Sequence, residues 1–231
     1  MKMRSNLRLP RLSWRFIPVW QRNYLVWKKL AIPSILGNLA DPMLYMLGLG
    51  YGLGSLMPDV AGMPYITFLA AGTVAYSTMN AATFEVLYSS FSRMHVQRTW
   101  DAIMNAPLTL DDVILGELSW AVAKSLLSGL AILAVIWGLG LYGNFWMTLW
   151  IIPVVAMVGF CFGGLGLVMN ALSPSYDFFL YYFTLVITPM FLVAGTFFPI
   201  DPLPAGLQIA AQFNPLYQLV ELVRGAAFGF E

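Results

Sequence analysis

Five apolar segments, each long enough to cross a lipid bilayer, constrain this chain more than any other feature of its sequence. They cover about residues 33–56, 65–91, 113–141, 145–172 and 178–198. A helix needs about 20 predominantly apolar residues to cross about 30 Å of hydrocarbon. The segments therefore predict an all-α, polytopic membrane protein with five visible spans.

The composition excludes several other classes of protein. Charged residues make up only 10% of the chain and hydrophobic residues 59%, whereas soluble domains carry about 25% charged residues. This excludes a soluble enzyme, a disordered chain and a nucleic-acid binder with a broad basic face. The chain has one Cys and one His, so we expect neither an intrachain disulfide nor a metal site built from these residue types.

The first thirty residues are basic and amphipathic. Eight of the twelve Lys and Arg residues lie here, and the first acidic residue is Asp41. Large aromatic side chains recur at helical spacing, at Phe16, Trp20, Tyr24 and Trp27. Basic side chains lie on another face, at Arg15, Arg22 and Lys29. We predict a basic tail over about residues 1–11 and an interfacial helix over about 12–30, which together form the segment 1–31. A transmembrane domain over 32–231 and a cytoplasmic N-terminus are also predicted.

The segment over residues 92–112 carries Arg93 and Arg98 and is predicted to be cytoplasmic. A short helix is expected within it, with Pro107 ending that helix and Thr109 capping the next one. Trp100, Ile103 and Met104 would form an apolar ridge on the short helix. An exposed Trp there either contacts a partner protein or lies against the bilayer interface, and spacing alone leaves both readings open.

The tail after residue 198 cannot form one continuous helix, because four prolines interrupt it. Two short helices are expected, at about 204–212 and 216–227, and segments of this length are typical of re-entrant or interfacial helices. They would form either an external gate or an ordinary interfacial cap. The apolar end of the sequence predicts a further span beyond it.

Four ionisable residues fall inside the predicted spans: Asp41, Glu85, Glu117 and Lys124. Charges at such positions are costly and are usually paired or functional. We predict an ion pair between Glu85 and Lys124, with a contact to a polar substrate head as the alternative. Asp41 is expected either to bond backbone groups freed by Pro42 or to face a translocation path. Glycines at 48–54 and at 159 and 163 predict close helix packing.

Several stretches of the sequence resemble type-2 ABC exporter permeases, and most of all the NodJ-like lipo-oligosaccharide exporter permeases. Residues 97–107, QRTWDAIMNAP, with DDVILGE at 111–117, are similar to the coupling-helix region of that family. Residues 41–54, DPMLYMLGLGYGLG, resemble the first span. Residues 195–200, GTFFPI, and residues 214–224 resemble the end of the fifth span and the external helices before a sixth. The resemblance covers nearly the whole chain from about residue 15.

The resemblance implies a non-catalytic subunit of the bacterial inner membrane that pairs with a second copy of itself and with two ATPase subunits. ATP and Mg²⁺ would be held by the ATPase, and no P-loop motif occurs in this chain. Membrane lipids and an amphiphilic glycan would be the other partners. The coupling residues implied are Arg98, Thr99, Trp100, Asp101, Ile103, Met104, Asn105 and Pro107. The external gate residues implied are Phe197, Phe198, Pro199, Asn214, Pro215 and Arg224.

Other functions compete with glycan export. A drug-efflux or haemolysin-type type-2 exporter would share the fold, and loop length and charge do not separate the two. An ion-coupled transporter or channel is disfavoured by the few carboxylates in the spans and by the lack of an apparent inverted repeat. A membrane-embedded glycosyl- or acyltransferase is disfavoured because the external loops are short and hold no His.

Overall fold

A computed structural model describes residues 13–56, 59–60 and 62–228, and the predicted all-α fold is confirmed over these residues. The described chain forms helices, with one isolated β-bridge between Val60 and Met63. The helices are α1 (Phe16–Lys28), α2 (Ala31–Gly52), α3 (Tyr65–Phe84), α4 (Thr99–Met104), α5 (Leu110–Gly138), α6 (Phe145–Thr148), α7 (Ile151–Leu172), α8 (Asp177–Tyr182), α9 (Thr188–Leu192), α10 (Ala205–Gln212) and α11 (Pro215–Phe228). The basic tail predicted before Leu12 lies outside the described residues.

Within the part of the chain that the structure describes, two helical units are long and apolar enough to cross a membrane by length and composition. They are α5 and the unit Phe145–Leu172, which joins α6 and α7. A third crossing is counted if α1 and α2, which meet at an angle of 84°, are taken as one broken span. The number of five crossings therefore stays a prediction.

α3 lies at the centre of the helix packing and contacts α2, α5, α7 and α11. Small side chains fill most of its surface and are buried on nearly every side, among them Ala70, Ala71, Thr73, Ala75, Ser77 and Ala82. In a membrane, small residues allow helix backbones to approach closely. The same reason applies to Gly159 of α7, where a Cβ would lie 3.0 Å from the Cα of Val122 in α5. By contrast, Gly48 and Gly52 have open space around them.

The structure moves two predicted boundaries. The helix that begins with α3 continues past Phe91 through two π-helical segments, Glu85–Ser90 and Ser92–Val96. Arg98 then adopts a left-handed conformation, with φ 53°, which breaks the helix before α4. At the other boundary, the helical run from Asp177 ends at Leu192 rather than continuing to Phe198.

The aromatic face of α1 packs against α5 rather than standing alone. The rings of Trp20, Tyr24 and Trp27 surround the ring of Trp120, with centroid distances of 5.9, 6.5 and 5.9 Å. Trp120 is fully buried by this contact. The helix predicted over residues 12–30 is therefore present as Phe16–Lys28, and its aromatic spacing serves an intramolecular contact.

The two short helices expected in the tail are present as α10 and α11. The described part of α11 has 14 residues, which at 1.5 Å per residue gives about 21 Å of helix. One face of α11 is buried against α3 and α7, through Leu216, Leu219, Val220, Val223 and Ala227. This burial holds α11 against the core rather than at its surface.

Candidate functional site

Arg93 is the centre of a buried charge cluster at the end of the α3 helix. Its Nε donates to both carboxylate oxygens of Glu117, at 3.0 and 3.2 Å, and its Nη2 donates to Glu85 at 2.9 Å. Asn23 of α1 donates to Glu117 from Nδ2 at 3.2 Å. The cluster joins α1, the π-helical segments and α5. Both glutamates are thus paired, and their partner is Arg93.

The predicted ion pair between Glu85 and Lys124 is wrong. Lys124 donates from Nζ to the hydroxyl of Ser34 at 2.7 Å and lies 5.5 Å from the centroid of the Trp27 ring. Trp27 donates to the same hydroxyl at 2.9 Å. Among the described residues, no carboxylate lies within ion-pair distance of Lys124. The ammonium therefore lies at the elbow between α1 and α2, where Ser34 and the Trp27 ring receive it.

A cavity of about 490 Å³ opens beside the charge cluster; we call it the basal cavity. It is lined by Arg22, Asn23, Val26, Tyr88, Ser89, Ser92, Arg93, Gln97 and Tyr176. Arg22 donates to the Asn23 amide oxygen at 3.0 Å. Burial lowers the pKa of Arg22, as does the nearby Arg93 charge, while Glu117 opposes both effects. The cavity wall therefore combines planar polar side chains with two tyrosine rings.

A second cavity, of about 210 Å³, lies between α2 and α3; we call it the middle cavity. Its lining includes Asn38, Asp41, Ser77, Asn80 and Phe84. Within residues 13–56, 59–60 and 62–228, no hydrogen bond reaches the Asp41 carboxylate. Of the two roles expected for Asp41, the structure shows it in a cavity rather than bonded to the backbone freed by Pro42. Polar groups at such a position face water or a polar ligand.

The short helix of the predicted coupling loop is α4, and its Trp is not exposed. Trp100 is 5% exposed, so the expectation of an exposed Trp ridge is wrong. Ile103 is half-buried, whereas Met104 is exposed. Arg98 and Asp101 project outward with side chains 78% and 60% exposed, 3.8 Å apart. Thr99 is half-buried, and Asn105 and Pro107 are exposed. The surface that α4 offers is therefore mixed and charged, with Trp100 as its internal anchor.

The segment before α1 fastens this loop to the body of the protein. Arg15 donates to the carbonyl oxygen of Pro107 at 3.1 Å, and the Ser13 hydroxyl bonds Asp112. Asp112 also closes a capping box with Thr109, whose backbone N–H donates to its carboxylate at 2.9 Å. The N-cap predicted at Thr109 is confirmed. These bonds connect the segment after α4 to the residues before α1 and to the start of α5.

Three of the predicted external gate residues bond to neighbouring segments of the chain. Arg224 of α11 donates to the carbonyl oxygen of Gly195 at 3.0 Å and lies 4.0 Å from the centroid of the Phe68 ring. Asn214 donates to the carbonyl oxygen of Met190 at 2.6 Å, and the carbonyl of Phe197 accepts from the Tyr65 hydroxyl at 3.1 Å. These bonds fasten α11 and the turn after α9 to the core. Phe198 is exposed, and Pro199 and Pro215 are half-buried.

The geometry is that of a membrane subunit with an exposed loop at one end, and the comparison with known proteins identifies its family. The sequence matches the family described as ABC-2 type transporter over residues 15–228. The chain belongs to that family. Members are membrane-embedded, multi-pass transport subunits that work with an ATPase partner. The permease is accordingly a membrane transport subunit, and its apolar helices agree with this.

The permease is similar to proteins named Nodulation protein J and to a transport permease of Escherichia coli. It is 47% identical to Nodulation protein J of Rhizobium meliloti over 221 residues, which are 96% of this chain and 84% of that protein. It is 48% identical to Nodulation protein J of Rhizobium leguminosarum bv. trifolii over the same shares of the two chains. The inner membrane transport permease YadH of Escherichia coli is 23% identical over 92% of this chain and 81% of its own length.

Sequence reasoning missed two residues that organise these sites. Arg93 was assigned to a loop, yet it lies eight residues after Glu85 on one continuing helix, and this spacing was a usable signal. Ser34 was overlooked because a lone Ser near the start of a span carries no distinctive pattern. Its role depends on the 84° bend between α1 and α2, which only the structure shows.

Proposed function

We propose that this permease exports a lipid-linked or lipidated oligosaccharide across the bacterial inner membrane, driven by a separate ATPase subunit. The single observation that carries the choice of substrate is the identity of 47–48% with relatives named Nodulation protein J over 96% of the chain. Those names connect the relatives to nodulation, and the sequence resemblance to lipo-oligosaccharide exporters supplies the class of cargo.

The two cavities support a polar cargo. The basal cavity and the middle cavity both present amide, hydroxyl and charged groups in a chain that is 59% hydrophobic. Polar groups inside a membrane are costly, so their concentration in two cavities favours a pathway for a hydroxyl-rich molecule. A purely apolar drug would not need them.

We assign energy coupling to the exposed part of the loop at residues 92–112. Arg98, Asp101, Met104, Asn105 and Pro107 would contact the ATPase, whereas Thr99, Trp100 and Ile103 would hold α4 in shape. The contacts of Ser13 and Arg15 with this loop favour transmission of its movement to α1. Interfaces of this kind depend on a few well-placed side chains.

Several further features belong to the same proposal. Two copies of the permease would pair and bind two ATPase subunits, with an interfacial segment at 1–31, a transmembrane domain at 32–231 and a cytoplasmic N-terminus. Five spans would cross the membrane. α10 and α11 would form the external gate, with Phe197, Phe198, Pro199, Asn214, Pro215 and Arg224 around its opening. The bond of Arg224 to the turn after α9 and the bond of Asn214 to Met190 within α9 support this assignment.

Deletion of the gene tests the proposal in cells. Cells that lack the permease should accumulate an amphiphilic oligosaccharide on the cytoplasmic side, and the wild-type gene should restore its release. Mass spectrometry of lipid extracts and of the culture medium measures both pools. Unchanged pools in the deletion strain would contradict the assigned cargo.

A further inference from the structure

Three aromatic rings form a continuous wall between the two cavities. The rings of Tyr176 and Tyr88 have centroids 6.1 Å apart and an interplanar angle of 11°. The rings of Tyr88 and Phe84 follow at 5.2 Å and 18°. Tyr176 and Tyr88 line the basal cavity, and Phe84 lines the middle cavity. The three rings thus connect the basal cavity, beside the end of the helix that begins with α3, to the middle cavity between α2 and α3.

These rings are open to a ligand although each has apolar neighbours. Tyr176, Tyr88 and Phe84 are 39%, 37% and 46% exposed. Phe84 and Tyr88 are four residues apart and therefore share one face of the helix. Asn80, one turn earlier on this face, lines the middle cavity with Phe84. The face therefore presents aromatic surface and then an amide in the order that a ligand leaving the basal cavity would meet them.

The charges around the basal cavity cancel one another. Arg22 and Arg93 bring two positive charges, and Glu85 and Glu117 bring two negative charges. Arg93 donates from Nε and Nη2 to both glutamates, and their carboxylates neutralise its charge. A phosphate or sulfate placed here would add an unbalanced charge to a partly buried site, which is costly. The balance favours an uncharged ligand.

The remaining lining groups suit hydroxyl groups. Asn23, Gln97, Ser89 and Ser92 offer amide and hydroxyl donors and acceptors at the cavity wall. Aromatic faces carry partial negative charge and attract the polarised C–H groups of a sugar ring. The volume of about 490 Å³ lies within the usual range of about 300–1,000 Å³ for small-molecule sites and is large enough for a few sugar rings.

We propose that the basal cavity is a loading site for an uncharged oligosaccharide head, which stacks on the Tyr176 and Tyr88 rings before it moves toward Phe84. The inference rests on the proposed export function, because it names the part of the cargo that this chain binds first. In this proposal the basal cavity selects its ligand by ring stacking and amide hydrogen bonds rather than by charge.

The test is equilibrium binding to the purified full-length permease in lipid nanodiscs without the ATPase. The probes are the uncharged tetramers of glucose and of N-acetylglucosamine, with inorganic phosphate as the charged competitor, and ligand-observed NMR reports saturation transfer to the sugar ring protons. We expect saturable binding of at least one tetramer that phosphate does not displace. Binding of phosphate in place of both tetramers, or of no probe at all, would overturn the proposal.

Matched variants locate the binding site. Tyr176→Ala should weaken tetramer binding about fivefold through the lost ring stacking and Gln97→Ala about threefold through the lost hydrogen bond, whereas Tyr176→Phe should keep the wild-type affinity. Tyr142→Ala is the control, because Tyr142 is 40% exposed at the far end of α5. The unfolding temperature of each variant is measured first. If Tyr176→Ala is unstable, the tetramer affinity of Gln97→Ala tests the site instead. Wild-type binding by the correctly folded cavity variants would refute the site.

A transport measurement separates this inference from the proposed function. ATP-driven export of the natural cargo is followed in vesicles that contain the permease and its ATPase. Export that persists without tetramer binding would overturn the loading site and leave the exporter intact. Tetramer binding with no ATP-driven export would uphold the cavity as a sugar site and contradict its role in export.

Discussion

Arg93 donates to Glu117 from two nitrogens: its Nε lies 3.0 Å from Oε1 and 3.2 Å from Oε2, and its Nη2 lies 2.5 Å from Oε2. The Glu117 side chain is only 1% exposed. Removing the guanidinium would leave a buried carboxylate without its partner, which costs about 3–5 kcal/mol. Arg93→Gln should therefore lower the thermal unfolding midpoint of the purified permease strongly, measured by differential scanning fluorimetry in detergent.

Arg98 provides the matched control for that variant. It also pairs with a carboxylate, Asp101, but both side chains are mostly exposed and lie 3.8 Å apart. Exposed pairs of this kind contribute about 0–1 kcal/mol. Arg98→Gln should leave the unfolding midpoint close to wild type. Equal midpoints for the two variants would show that the Arg93 cluster does not stabilise the fold.

Replacing Lys124 should not lower the unfolding midpoint, in contrast to replacing Arg93. Lys124 is 7% exposed, and its ammonium bonds Ser34 without a carboxylate in ion-pair distance among the described residues. Replacing a buried charge by an apolar side chain of similar volume is often neutral or stabilising. Lys124→Met should keep or raise the unfolding midpoint and reduce ATP-driven transport if the charge serves the cargo. A midpoint as low as that of Arg93→Gln would reveal an ion pair that the structure lacks.

The contact between α5 and α7 gives a prediction about packing. A Cβ at Gly159 would lie 3.0 Å from the Cα of Val122 and from the Cβ of Ser125. Gly159→Ala should therefore cost about 1–3 kcal/mol through overpacking. Gly164 lies on the same helix with nothing within 4 Å of an added Cβ. Gly164→Ala should keep or raise stability because alanine favours the helix by about 0.5–1 kcal/mol. The unfolding midpoints of Gly159→Ala and Gly164→Ala, measured in detergent, test this difference.

The burial of Trp100 changes what variants of the coupling loop should do. Trp100→Ala empties an internal site, and truncating a buried Trp costs about 3–5 kcal/mol. This variant should lower stability instead of leaving a folded permease that has lost only its ATPase. Met104→Asp alters the exposed side of α4 and should leave the unfolding midpoint unchanged while it reduces co-purification of a tagged ATPase.

Leu207→Asp serves as the control for Met104→Asp, since Leu207 is comparably exposed on α10, which we assign to the external side. It should retain the ATPase at wild-type levels. Equal retention by both variants would contradict the assignment of α4 as the ATPase contact.

The sequence predicted the helices and the cap at Thr109 better than it predicted which side chains contact one another. Apolar run length identified α5 and the unit Phe145–Leu172, and the residues around Pro107 and Thr109 marked the start of α5, because run length and capping chemistry are local properties. The extension of the α3 helix to Val96 was missed because Ser92 and Arg93 look like loop residues. They remain helical because Arg93 pairs there with the buried carboxylates of Glu85 and Glu117.

Charge pairing was predicted less well, because it depends on how the helices rotate against one another. Depth along the spans suggested that Lys124 would meet Glu85, yet Arg93 lies on the same helix as Glu85 and occupies that carboxylate. The same limit applies to Trp100, whose burial depends on how α4 folds back after the left-handed Arg98. Helical spacing predicted one apolar ridge, whereas the structure buries Trp100, half-buries Ile103 and exposes Met104.

ATP-driven transport in inside-out membrane vesicles tests the central claim most directly. Vesicles containing the permease and its ATPase receive a fluorescent lipo-oligosaccharide on the outer surface, and its transfer to the lumen is followed by its protection from an added glycosidase. We predict protection that requires ATP and is lost when the P-loop lysine of the ATPase is changed to alanine. Protection that proceeds equally without ATP, or no protection with the intact complex, would contradict the account.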